Sequence, residues 1–396
     1  MKTYFSLADF DFRNKRVLVR TGYDVPLEDG KVKDTTRIVA NMPTIDYLIK
    51  KNAKVILISH LGRPGGKADP KFSLRPVFEE LKRLMKMSEG IYFLTDCVGK
   101  DIKPFIDKIK PGEIVLLENL RFHKEEEENG DKFAAALASC ADYYIDDAFG
   151  AAHRAHASID AITNYLPSGI GLLMERETVE LAKILQPKKP FICILGGLKV
   201  ADKIKTIKHL AENADKMLIG GALGNTFLKA KGINVGKSRI DAVEIAEDIL
   251  KRYHQKIILP EDVMVSVSET KAIRRALSDD IKENEMIMDI GPKTQEMFRK
   301  ELEKAETIFW NGPLGVCELP EFARGTETIA EFLSKLHSTR IIGGGDSVDA
   351  VAHFKLVKNF TYISTGGGAA LEFLEGNKLP AIAALERNYE RFKNQK

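Results

Sequence analysis

Short, β-branched apolar runs recur along the chain, each followed by glycine or polar residues and then by a longer amphipathic segment. In the first half these runs are residues 17–19, 55–58, 114–117 and 143–145. In the second half they are 191–195, 217–219, 256–259, 307–310, 340–342 and 362–363. Residues 77–84, 204–211, 242–253 and 326–336 instead place apolar side chains at helical spacing. An apolar run without alternation belongs to a strand covered on both faces, and strands alternating with helices build parallel sheets. Ten such runs are too many for one comfortable open sheet, so the pattern predicts two parallel-sheet α/β domains. Leu166–Gly171 (LPSGIG) reads as a boundary, residues 172–185 as a helix between the halves, and residues 186–190 (QPKKP) as the lead into the next strand.

In parallel sheets, ligands bind outside the carboxyl ends of the strands. In the first half those positions are basic: Arg20; His60 and Arg63; Arg121; then His153, Arg154 and His156. Arg37 joins them if its helix starts at the same edge. A single arginine there could be a surface charge. The same topological place in four successive units points instead to an anion crevice, because guanidinium groups suit two-pronged contact with carboxylate or phosphate. No cysteine or further histidine stands at metal spacing beside HRAH, so anion contact is preferred to a metal.

In the second half the strand ends carry glycine pairs and triplets: Gly196-Gly197, Gly220-Gly221, Gly343-Gly344-Gly345 and Gly366-Gly367-Gly368. Glycine lets backbone approach a phosphate, and a following helix presents free N–H groups and a positive dipole end. Lys199 and Lys203 lie four apart after the first pair, where two cations beside a helix N-terminus call for an anion. Asp346 follows the GGG triplet, placed either to cap a helix or to bridge Mg²⁺. Neither the Walker lysine motif nor G-x-G-x-x-G is present. These two halves predict phosphoryl transfer from one domain to the other, with the substrate unnamed.

Composition adds limits. At 396 residues, 44% hydrophobic and 30% charged, the chain reads as a globular protein of two or three domains. No apolar stretch approaches the roughly 20 residues that span a bilayer. Acidic residues stand where a signal peptide would have its apolar core, so a cytoplasmic location is expected. A net charge of +3 and the lack of a basic, aromatic-interleaved segment give no sign of nucleic-acid binding. Cys97, Cys140, Cys193 and Cys317 form no CxxC and read as reduced, packed thiols. The acidic run 125–128 reads as a solvated loop and helix start.

The motifs VLVR (17–20), SHLGRP (59–64), LLENLRFHKEEE (116–127), DDAFGAAHRAHAS (146–158) and ILGGLKVADKI (194–204) resemble those of the phosphoglycerate kinase family. So do DIGPKT (289–294), FWNGPLGV (309–316), IIGGGDS (341–347) and ISTGGGAALEFLEG (363–376), in family order over nearly the whole chain. The resemblance implies two three-layer α/β/α, Rossmann-like domains joined by a hinge helix. Residues 1–170 would bind 3-phosphoglycerate, 171–185 would link, 186–378 would bind nucleotide, and 379–396 would return to the first domain. It implies reversible phosphoryl transfer between 1,3-bisphosphoglycerate and ADP, giving 3-phosphoglycerate and ATP, with Mg²⁺, domain closure and a monomeric state.

Carried over by position, Arg37, His60, Arg63, Arg121 and Arg154 would hold 3-phosphoglycerate. Gly196, Gly220, Gly221, Asn311, Pro313 and Glu318 would line the adenine and ribose site. Lys203 would contact the α-phosphate, Asp346 would position Mg²⁺, and Ser347, after Gly343, Gly344 and Gly345, would cap a phosphate. Lys199, Arg37 and the amides of Gly366, Gly367 and Gly368 would surround the transferring group. The chain departs from the family at Arg20–Pro26, which reads RTGYDVP where RVDFNVP is usual. Gly22 replaces an aspartate that accepts the substrate hydroxyl, and Asp24 is expected to take over that contact. Asp146 stands where asparagine is usual, and Ala370 where serine is usual. These changes leave as an alternative a nucleotide-binding paralogue with weakened or altered acid specificity.

Overall fold

The computed structural model describes residues 2–198, 203–268, 273–277 and 279–394. Two compact units divide the chain, residues 1–178 with 378–396 and residues 179–377. The change of unit falls inside the helix Leu172–Leu185. Lys199, expected near the transferring group, lies outside the described residues.

In the first unit seven strands form a parallel sheet in the order Phe5–Ser6, Ser168–Ile170, Tyr143–Asp146, Arg16–Arg20, Lys54–Ile58, Ile114–Leu117, Ile91–Leu94. Every residue of Ile114–Leu117 and all but the first of Lys54–Ile58 are buried, as runs covered by helices on both faces must be. Two apolar clusters fill these faces. One gathers Val17, Val19, Val55 and Leu57; the other gathers Leu18, Ile56, Val115 and Leu117. Odd and even positions of a strand point to opposite faces, so a single run feeds both cores.

In the second unit the parallel order is Ile257–Ile258, Lys216–Ile219, Phe191–Leu195, Thr307–Asn311, Thr339–Gly343, Tyr362–Ile363. This unit also holds a small antiparallel sheet of Arg274–Leu277, Asp262–Ser266 and Met286–Ile290, which the apolar pattern did not announce. The strands Arg274–Leu277 and Met286–Ile290 are only partly buried and mix charge with apolar residues, so their signal is weak. The edge strands Phe5–Ser6 and Ile91–Leu94 and the short inner strand Ser168–Ile170 also escaped that pattern. No helix among the described residues is long and apolar enough to cross a membrane. All four cysteines are free; Cys97, Cys140 and Cys193 are buried.

The helix Pro380–Phe392 packs on the first unit. Asn388 is buried there, accepting from Ser168 N at 2.9 Å and donating to Thr163 O and Leu166 O at 2.6 and 2.7 Å. The Tyr389 ring packs against Phe5, tilted by 57° with centroids 4.8 Å apart, at the edge strand of the sheet. Replacing Asn388 by alanine would strand Ser168 N and Thr163 O, while Leu166 O would keep only Ser168 Oγ at 2.7 Å. Asn388→Ala should therefore destabilise the first unit by about 2–4 kcal/mol in urea unfolding; a change within about 0.5 kcal/mol would mean that this side chain does not hold the helix in place.

Candidate active site

In the first unit the basic residues converge at the carboxyl ends of the central strands. Arg20 ends Arg16–Arg20 and has no exposed surface. Its Nε donates to Ser158 Oγ at 2.9 Å, and Nη2 lies 2.8 Å from His60 Nδ1 and 4.0 Å from Glu126 Oε1. Ser158 donates to Glu126 through Oγ at 2.6 Å and through N at 3.0 Å. Glu126 is thus fully buried, which corrects the reading of residues 125–128 as a solvated run; Glu127 and Glu128 do face solvent. A charge run on a short helix looks alike whether or not one member turns inward, and only the partner, Arg20, decides it.

Other basic residues of the sequence pattern stand on the same loops. Arg121, buried, donates from Nη1 to Gly62 O at 2.8 Å, and its Nε lies 3.2 Å from Glu127. Arg154 is half-buried, with Nε 3.2 Å from His153 Nε2. Arg37, the second residue of the helix Thr36–Lys50, donates to Asp24 O, and Arg63 is exposed. Burial, then repulsion from Arg154 and Arg121, pushes His153 down to about 4. Burial, Arg121 and Arg20 push His156 down to about 3, and burial with Arg20 pushes His60 well below its usual value. The histidines are therefore neutral near pH 7, and the field they report is that of clustered guanidinium groups. Such a pocket attracts anions.

Asp24 Oδ1 accepts from Gly62 N at 2.8 Å, and Oδ2 lies 3.7 Å from His60 Nε2. Gly22 donates to Asn41 Oδ1 at 3.1 Å, and a β-carbon added to it would meet nothing nearer than 4.0 Å. Asn41 continues to Asp147, whose Oδ1 accepts from Leu173 N at 2.8 Å and so caps the helix Leu172–Leu185. A β-carbon at Gly171 would meet that oxygen at 2.2 Å, which explains the glycine before the helix.

In the second unit the glycine turns interlock. Gly196 N donates to Asn311 O, Gly197 N to Pro313 O and Gly221 N to Leu314 O, at 2.9, 2.9 and 3.0 Å. Gly221 has φ 60°, and a β-carbon on it would meet Pro313 O at 2.7 Å and Gly197 N at 2.8 Å. A cavity of about 360 Å³ opens beside them, lined by Ala222, Pro260, Met288, Leu314, Glu318 and Asp346. A second, of about 240 Å³, is lined by Lys203, Asn311, Gly344, Asp346, Ser347 and Gly367. Asp346 borders both. It is exposed and is the second residue of Gly345–His353, so Gly344 and not Asp346 occupies the cap position. Lys203 Nζ donates to Gly196 O at 3.1 Å, and Ser347 Oγ accepts from Gly312 N. Gly220 packs under Leu314, Gly343 ends its strand against Phe309, and Glu318 is exposed. Gly366 N donates to Ser364 Oγ at 3.1 Å, while Gly368 opens the next helix. Pro260, Met288 and Leu314 give the larger cavity its apolar wall; Pro260 and Met288 belong to no motif, and Leu314, inside FWNGPLGV, was not singled out by the sequence.

A slot with an apolar wall and an adjoining glycine shelf next to a lysine is the form of a nucleotide site. The phosphoglycerate kinase family model matches residues 7–377. The chain belongs to the phosphoglycerate kinase family. It is 47% identical over 395 residues to the phosphoglycerate kinase of Dictyoglomus turgidum, covering 97% of this chain and 99% of that one. With that of Pseudothermotoga lettingae it shares 46% over 390 residues, covering 96% and 98%. The structure of phosphoglycerate kinase from Pyrococcus horikoshii matches with a TM-score of 0.89 at 34% identity, covering 98% and 100%. That from Coxiella burnetii matches with a TM-score of 0.86 at 36% identity, covering 97% and 99%.

The family's usual asparagine is Asp146 here, and its carboxyl is fully buried beside Ala148 N, which donates to it at 3.1 Å. Burial pushes it up to about 6. An unfolded aspartate ionises near 3.9, so the folded state keeps this proton longer, and stability falls as pH rises from about 4 to about 6. Asp146→Asn should therefore stabilise the protein above about pH 6, by up to about 3 kcal/mol, and change little below about pH 4. Urea midpoints at the two pH values check this; an equal shift at both would locate the effect elsewhere than in the buried charge.

Proposed function

We infer that this chain transfers a phosphoryl group reversibly between 1,3-bisphosphoglycerate and ADP, giving 3-phosphoglycerate and ATP. The observation that carries this reading is the pairing of a guanidinium pocket in one unit with a glycine-turn cavity in the other, in a chain of this family. In the forward direction an oxygen of the ADP β-phosphate attacks the acyl phosphate. The P–O bond to the carboxyl group breaks, and the carboxylate leaves with the electron pair. Attacking and leaving groups are both anionic oxygens, so no proton need move. Alignment and neutralisation of charge are the main tasks.

His60, Arg63, Arg121 and Arg154 are the groups we assign to the phosphate and carboxylate of 3-phosphoglycerate, with Arg37 and Lys199 at the transferring group. Asp24, from one position beyond the missing aspartate, accepts from the substrate hydroxyl. The larger cavity takes adenine and ribose, with Glu318 toward the ribose hydroxyls, and the smaller takes the phosphates beside Lys203 and Ser347. The exposed carboxylate of Asp346, bordering both cavities, offers the hard oxygen ligand that Mg²⁺ prefers. When bound, the ion neutralises phosphate charge. The two substrates belong to different units, so turnover requires the units to bring them together and exclude water. The chain acts as a monomer in this reading and without membrane or nucleic acid, the last in keeping with its modest net charge.

A coupled assay with 3-phosphoglycerate and Mg-ATP should show turnover, and its absence would refute the assignment. Asp24→Ala should raise KM for 3-phosphoglycerate about 5- to 150-fold, the value of one hydrogen bond; an unchanged KM would remove Asp24 from the site. Lys203→Ala should lower kcat about 10²-fold or more by removing a preorganised charge from the phosphate shelf.

A further inference from the structure

Arg20 is the largest charged side chain without exposed surface, so its guanidinium cannot itself touch a ligand. It stands directly behind His60. An arginine carries only donors and keeps its charge in proteins, so the Nη2 contact of 2.8 Å makes His60 Nδ1 the acceptor. The imidazole proton must then sit on Nε2, the nitrogen that faces Asp24 and the anion pocket. We propose that Arg20 is a positioning residue for 3-phosphoglycerate binding: it holds His60 as the Nε2–H tautomer, so that His60 presents the substrate with an uncharged N–H donor.

The surroundings hold Arg20 in turn. Ser158, itself bonded to Glu126, fixes Nε, Glu126 lies 4.0 Å from Nη2, and Thr21 O accepts from Nη1, so the guanidinium plane cannot turn away from the imidazole. Burial, then Arg20, Arg121, His156 and Arg154, all oppose a second proton on the ring, and Asp24 Oδ2 lies 3.7 Å from Nε2. The neutral donor also has a use. A protonated histidine would add a charge that comes and goes near neutral pH, whereas a locked tautomer keeps the pocket's charge constant in that range.

The proposal rests on the 3-phosphoglycerate reading only for its consequence, and the tautomer can be measured without turnover. The full chain, with ¹⁵N-labelled histidine, is examined by two-bond ¹H–¹⁵N correlation, and His60→Gln assigns the resonance. His60 should show an unprotonated Nδ1 and a protonated Nε2 throughout about pH 5 to 8. An Nδ1–H tautomer, or an imidazolium within that range, would overturn the proposal. The double variant Arg20→Met/Glu126→Gln removes the buried pair together, so that no lone charge is left to unfold the protein. In it His60 should become a tautomer mixture, and KM for 3-phosphoglycerate should rise about ten-fold with a smaller change in kcat. An unaltered His60 signature, or an altered signature with KM unmoved, would refute the role assigned to Arg20. A chain without kinase activity but with the locked tautomer would sink the proposed function and leave the Arg20–His60 lock standing.

Discussion

A buried ion pair underlies the first unit. Arg20 and Glu126 both have no exposed surface and lie 4.0 Å apart, bridged by Ser158. Neither charge could be buried alone, because the desolvation cost would force it to neutralise or the site to open. The two come from a strand end and from a short helix over a hundred residues later, and Ser158 comes from the loop after another strand. Their meeting fixes three loops at the sheet edge where the anion pocket forms. Burial raises the Glu126 carboxyl while Arg20 and Ser158 favour its ionised form, so the pair is held by its hydrogen bonds as much as by charge.

Like charges crowded together are unstable without a ligand, and the pocket relieves this in two ways. Its histidines stay neutral, adding donors without adding charge. Its arginines lean on carbonyls, Arg121 on Gly62 and Arg37 on Asp24. Both carbonyls belong to loops that bear pocket residues, so the same contacts shape the site. The second unit is built differently. There glycine backbone lines the cavities, and the glycines at 197, 221 and 312 adopt positive φ so that three turns can lie against one another. Any side chain at Gly312 would strike Gly196 O at 2.2 Å. The turns are therefore one packed object.

Asp147 joins the pocket to the helix that leaves the first unit. Its carboxylate receives Asn41 from the Arg37 helix on one oxygen, and Leu173 and Met174 from the Leu172–Leu185 helix on the other. Thr44, on the same face as Asn41, accepts from Leu172. The helix whose first turn carries Arg37 and the helix that crosses between units are thereby tied at buried, directional bonds.

Much of this was legible in the sequence, because apolar runs ending in arginine or glycine can be read one residue at a time. The alternation of runs and amphipathic stretches gave two parallel α/β units; the contrast between basic and glycine strand ends gave two kinds of anion site; the ordered motifs gave the family. Tertiary structure alone decided what depends on partners distant in sequence. Glu126 turns inward because Arg20 and Ser158 wait there, and Asp147 is a cap because Gly171 leaves room for it. Pro260, Met288 and Leu314 become a cavity wall only when three separate segments meet. The antiparallel sheet, with its two outer strands half-exposed, had no periodic signature to find. A pattern along the chain records which face of an element is buried, but the identity of the group across from a side chain is settled only when the chain closes on itself.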